Sequence, residues 1–128
     1  MINTNLIANV LGILSLTSSL IAFSPSLNSL FKNTYRHKRE LLRLAHSSLM
    51  LTVCLGLIHG LLMTQEANLD FSNMNTYWVY GIGLFAFNIM VFMAFSFSEL
   101  KSNFKQLNYF SYGALLLLLL HVGQRIMF

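Results

Sequence analysis

Residues 44–65 read LAHSSLMLTVCLGLIHGLLMTQ, with Arg43 before them and Glu66 after. No Asp, Glu, Lys or Arg interrupts the run. At a rise of ~1.5 Å per residue, a helix of this length crosses the roughly 30 Å hydrocarbon core of a bilayer. Three other stretches, 1–31, 71–98 and 106–124, are equally free of those four residue types. Of the chain's 128 residues, 55% are hydrophobic and 9% are charged, and the mean hydropathy is +0.62. A soluble domain carries about a quarter charged residues, so this surface is built for lipid. The expected fold is all-α: an integral membrane four-helix bundle running up-down-up-down as one domain. Its spans are expected at about 4–23, 43–64, 76–98 and 107–127. Pro25, just beyond the first apolar run, is expected to end span one.

Charge and cysteine content remove several function classes. Cys54 is the only cysteine, so an intrachain disulfide scaffold is excluded. The net charge of +4 comes from basic residues that are few and separated by apolar blocks, which gives no nucleic-acid surface. The first Lys or Arg is Lys32, after the apolar run, unlike the positive start of a cleavable signal peptide. Basic residues also set the orientation. Segment 32–43 holds five, 99–105 two, the C-terminal end one and the 65–75 loop none. Loops rich in Lys and Arg stay inside. Both termini and the acidic loop of Glu66 and Asp70 are therefore expected outside. His37, among Arg36, Lys38 and Arg39, reads as a solvated residue facing anionic headgroups.

Lipid is as apolar as leucine, so small residues that permit close approach must hold the helices together. Ala8, Gly12, Ser15 and Ser19 form one stripe on span one, and Ser48, Thr52 and Gly56 another on span two. Gly81, Gly83, Ala86 and Ala94 lighten span three. Asn9 and Asn88 are expected to bond to neighbouring helices. Tyr77, Trp78 and Tyr80, where span three enters, and Tyr109 and Tyr112 of span four read as interfacial anchors.

Ionisable residues inside a span are costly and mark function. Only His46, His59 and His121 qualify. Spans two and four run in the same direction in the expected bundle, with centres near residues 54 and 118. His59 then lies about 7 Å past centre and His121 about 4 Å, both toward the outer side. Two imidazoles at one depth suit a metal group held between helices, and the neutral ring required is also the cheaper form there. Gly56 and Gly60 flank His59, and Gly123 follows His121, leaving room for a flat ring. Arg125, one turn beyond His121, is placed for a carboxylate, and Gln124 offers another donor. His46 lies thirteen residues before His59, about 140° round the helix and near Arg43. It reads as a second ligand, or as an interfacial histidine bonded to a backbone carbonyl or lipid phosphate.

These histidines and their glycines resemble b-type membrane cytochrome domains of the cytochrome b561 and ferric-reductase-like kind. The resemblance implies haem b, bound without a covalent link because no Cys-x-x-Cys-His occurs. It implies His59 and His121 as iron ligands, Arg125 and His46 as cofactor contacts, and a quinone or protein as redox partner. The family's thirteen- to fourteen-residue spacing is matched by His46 and His59. On the other helix the position thirteen before His121 is Asn108, so one haem is expected and not two. The chain is also similar in look to uncharacterised four-span membrane proteins of cyanobacteria and algal plastids, which implies a thylakoid or bacterial inner membrane.

Other readings stay open from the residues themselves. The two histidines also suit separate interhelical hydrogen bonds, a chlorophyll-type magnesium site or a proton relay. The whole chain also suits a non-catalytic structural or assembly subunit of a larger photosynthetic or respiratory membrane complex. Paired acids within a span, which a carboxylate-bridged metal centre or a proton-driven transporter needs, are missing from the sequence.

Overall fold

The computed structural model describes residues 3–31, 38–66, 74–100 and 102–127. Lys32, Arg36, His37, Asp70 and Lys101 lie outside the described residues. Five helices follow in order: α1 (Thr4–Phe31), α2 (Lys38–Glu66), α3 (Met74–Phe95), α4 (Phe97–Leu100) and α5 (Phe104–Met127). Four are long and apolar enough to cross a membrane, over Thr4–Leu27, Glu40–Gln65, Thr76–Phe95 and Lys105–Met127. The all-helical class and the four spans expected of an integral membrane protein are therefore present.

Local chemistry sets the helix ends. Asn3 caps α1, its Oδ1 accepting from Leu6 N–H at 3.3 Å. Asn103 does the same for α5, accepting from Gln106 N–H at 3.4 Å. Such side chains satisfy amides that have no partner in the first turn.

Two boundaries differ from expectation. Helix α1 runs through Pro25 to Phe31 instead of ending near Phe23. Proline has no N–H, so the carbonyl four residues back loses its helical donor. That carbonyl belongs to Ile21, and Ser24 Oγ donates to it at 2.7 Å. A neighbouring hydroxyl thus replaces the missing amide, as is common for proline in membrane helices. The second difference is in span three, expected to reach residue 98, whereas α3 ends at Phe95 and a turn at Ser96 leads into α4. His46 Nε2–H donates to the carbonyl of Ala94 at 3.3 Å.

Interhelical contacts follow the stripes of small residues. Ser15 Oγ donates to the Thr52 carbonyl at 3.2 Å, with Ser19 and Thr52 fully buried alongside. Gly56 of α2 meets the ring of Phe87 from α3. Phe92 of α3 and Phe110 of α5 sit with ring centroids 5.3 Å apart. Tyr112 Oη donates to the Ser26 carbonyl at 2.9 Å, tying α5 to α1. Tyr112 is thus an interhelical tie, whereas Tyr77, Trp78 and Tyr109 are exposed as anchors should be. Asn88 does not reach another helix, because its side chain points outward and donates to Leu84 of its own turn at 2.9 Å. Asn9 is likewise exposed.

The close-packed core occupies one end of the bundle. Ala22 and Phe23, Ala45 and Leu49, Met90 and Met93, Phe97, and Leu107 form one buried cluster. All lie toward the end where α2 begins and α3 finishes. Toward the opposite end, fully enclosed side chains become sparse. Leu49→Ala is expected to cost about 2 kcal/mol, low for a buried leucine because lipid solvates the separated helices. Denaturation in mild detergent would measure it.

Candidate functional site

The thinly packed end holds His59 on α2 and His121 on α5, both half-buried. Each reaches across to a different helix, and the two reach in the same way. His59 Nδ1 lies 2.6 Å from the carbonyl of Ala8 on α1. His121 Nδ1 lies 2.8 Å from the carbonyl of Val79 on α3. A carbonyl only accepts, so each Nδ1 carries the proton and donates. These carbonyls already serve the helical bond to the residue four places on, and their second lone pair takes the imidazole.

Glycine makes the approach possible. Four residues after Ala8 comes Gly12, and four after Val79 comes Gly83. A Cβ at Gly12 would stand 2.8 Å from His59 Cε1 and 2.9 Å from its Nδ1. A Cβ at Gly83 would stand 2.7 Å from His121 Cε1 and 2.8 Å from its Nδ1. Each ring therefore lies against bare backbone on the helix it faces. Two helix pairs, α1 with α2 and α3 with α5, each carry the same device of histidine, glycine and carbonyl.

The consequence is chemical. A neutral imidazole protonated at Nδ1 leaves a lone pair on Nε2, which is the atom a metal would take. Metal-binding histidines almost always donate the other ring N–H to a carboxylate, carbonyl or water, which fixes tautomer and ring orientation. Here that bond is in place twice.

The remaining candidates fall elsewhere. Arg125 is exposed at the same end as His121. His46 is thirteen residues from His59, about 20 Å along the helix axis at ~1.5 Å per residue. Its ring stacks on Phe97 with centroids 4.7 Å apart and planes 6° from parallel. Its Nε2–H is engaged by Ala94. His59 and His121 both lie toward the end where α1 begins and α5 finishes, each against a different neighbouring helix, and His46 lies in the packed end. Among the described residues, His, Cys, Asp and Glu form no group of three or more that could hold a metal ion. A centre here would have the two imidazoles as its protein ligands.

The sequence named different glycines. Gly60 and Gly123, beside the histidines, have open space where a Cβ would stand, and Gly56 packs on Phe87 and Ser15. The glycines that receive the rings are Gly12 and Gly83, which read in the sequence only as packing residues. No local signal pairs a histidine with a glycine on another helix; only the register of the two helices does so. Comparison with known proteins finds no matching family model, no matching curated protein and no matching solved structure.

Proposed function

We propose that this chain is a small b-type cytochrome-like redox subunit, holding one non-covalent haem between α2 and α5. His59 and His121 would hold its iron through Nε2, and Arg125 would pair with a propionate. One observation carries the reading: both histidines donate Nδ1–H to a carbonyl, the tautomer and orientation that ligation through Nε2 requires. The donor set fits haem iron, which takes axial imidazoles and leaves the other positions to the macrocycle. Bound there, the haem supplies one-electron transfer to or from a quinone or a partner protein. The chain's own residues orient the rings through Ala8, Gly12, Val79 and Gly83.

The proposal includes an up-down-up-down arrangement with both termini outside. Contact pairs 8–59 and 15–52, 46–94 and 56–87, and 79–121 and 92–110 support it, because numbering rises on one helix as it falls on the next. The imbalance of Lys and Arg supports the orientation. A thylakoid or bacterial inner membrane would provide both lipid and electron partners.

The test is a reduced-minus-oxidised spectrum of protein purified in mild detergent and supplied with haem. One haem per chain with a sharp α-band is expected. Persistent failure to take up haem overturns the reading. His46→Ala should leave the spectrum unchanged, because that ring is committed to Ala94 and Phe97.

A second reading is a non-catalytic structural or assembly subunit. The same two Nδ1–H bonds favour it, since they tie helices together without any cofactor. Colourless protein that co-purifies with a larger membrane complex would support it.

A further inference from the structure

Gln124 lies three residues beyond His121, about 4.5 Å along the axis and on nearly the same face of α5. Its Oε1 is buried and has no hydrogen-bond partner. A buried amide oxygen without a partner is unfavourable, and native structures rarely keep one without reason. The position makes the orphan informative. Gly123 beside it has open space where a Cβ would stand, and exposed Arg125 follows it at the end of the bundle. An uncharged polar group and a cation therefore follow each other in the last turn of α5, about 100° apart round the helix, just beyond the candidate ligand.

We propose that Gln124 makes this site selective for a macrocycle carrying free carboxyl groups over one whose carboxyls are esterified. The inference rests on the haem reading and names the feature of the cofactor that the site recognises. The side-chain amide offers oxygen on one side and an NH2 group on the other, of nearly equal size. A half-turn about its last torsion presents N–H to a carboxylate, or oxygen to a protonated carboxyl. Arg125 supplies the charge and Gln124 the desolvated hydrogen bond. An ester carbonyl can still accept from the amide N–H, but it offers neither negative charge nor O–H, so only the weaker, neutral hydrogen bond remains.

The experiment titrates wild-type protein and Gln124→Leu with iron protoporphyrin IX and, separately, with its dimethyl ester. Leucine keeps the bulk and the helix preference and removes both polar atoms. Wild type should bind the free acid at least tenfold more tightly than the ester, the worth of a hydrogen bond to a charged group. In Gln124→Leu the ratio should shrink severalfold through weaker binding of the free acid. Without any macrocycle, the variant should melt at a higher temperature than wild type, because the orphan is gone. An unchanged ratio in the variant overturns the inference and leaves haem binding standing. A lower melting temperature for the empty variant also overturns it, since the amide must then already have a partner. Failure of wild type to bind either compound removes the haem reading itself, a result distinct from both.

Discussion

His59→Ala and His121→Ala are each expected to abolish the low-spin haem spectrum while leaving the helices assembled. The two effects separate because the imidazole has two nitrogens with different work. Removing the ring deletes the Nδ1–H bond to Ala8 or Val79. Interhelical hydrogen bonds in membranes are worth about 0.6 kcal/mol on average. The carbonyl left behind retains its helical bond to Gly12 or Gly83, so no acceptor is stranded. Fold stability should therefore fall by less than about 2 kcal/mol. The Nε2 bond has no such substitute, because no other described His, Cys, Asp or Glu joins the pair as a group. Haem affinity should fall at least 100-fold, read from the α-band and from haem per chain after gel filtration. Equal colour in wild type and both variants would refute ligation by these residues. Equal lack of colour, with a large loss of stability in each variant, would favour the purely structural role.

Most of the architecture was legible from composition. Charge-free runs of membrane length appear as four spans, and the small-residue stripe of span one packs on that of span two through Ser15, Ser19 and Thr52. What was not legible depended on single hydrogen bonds. Proline normally stops a helix, and nothing in a propensity argument weighs the hydroxyl of Ser24 at the carbonyl that Pro25 leaves free. The turn at Ser96 has no proline or glycine to announce it, and the nearby Ala94 carbonyl is bonded by His46, 48 residues away in sequence. The site itself was half legible. Depth arithmetic put His59 and His121 at one level toward the outer side, and each is found against its own neighbour, Ala8 of α1 or Val79 of α3. It could not supply Nδ1 partners or ring-receiving glycines, because those come from α1 and α3. Their register against α2 and α5 is a tertiary property.

Those glycines carry the second large effect. Gly12→Val and Gly83→Val should each eliminate haem binding although every proposed ligand remains. Even the first carbon of the new side chain would fall within 3.0 Å of ring atoms of His59 or His121, closer than van der Waals contact allows. The new carbon is fixed to the backbone of α1 or α3, so the soft element is the imidazole torsion, and the ring must swing away. Once it swings, Nδ1 leaves its carbonyl and the ring can no longer hold Nε2 in place. Ligation tolerates small errors poorly, since orienting partners typically matter 10- to 100-fold in metal affinity. Valine enlarges the displacement beyond what alanine imposes, so Gly12→Ala and Gly83→Ala should fall between wild type and the valine variants. Gly60→Ala and Gly123→Ala provide the contrast, because a methyl group there points into open space and meets no other helix. The empty protein should accept both without loss of stability. If Gly12→Val and Gly83→Val bind haem as wild type does, the rings are not held by these contacts. The shared histidine, glycine and carbonyl device would then be packing alone.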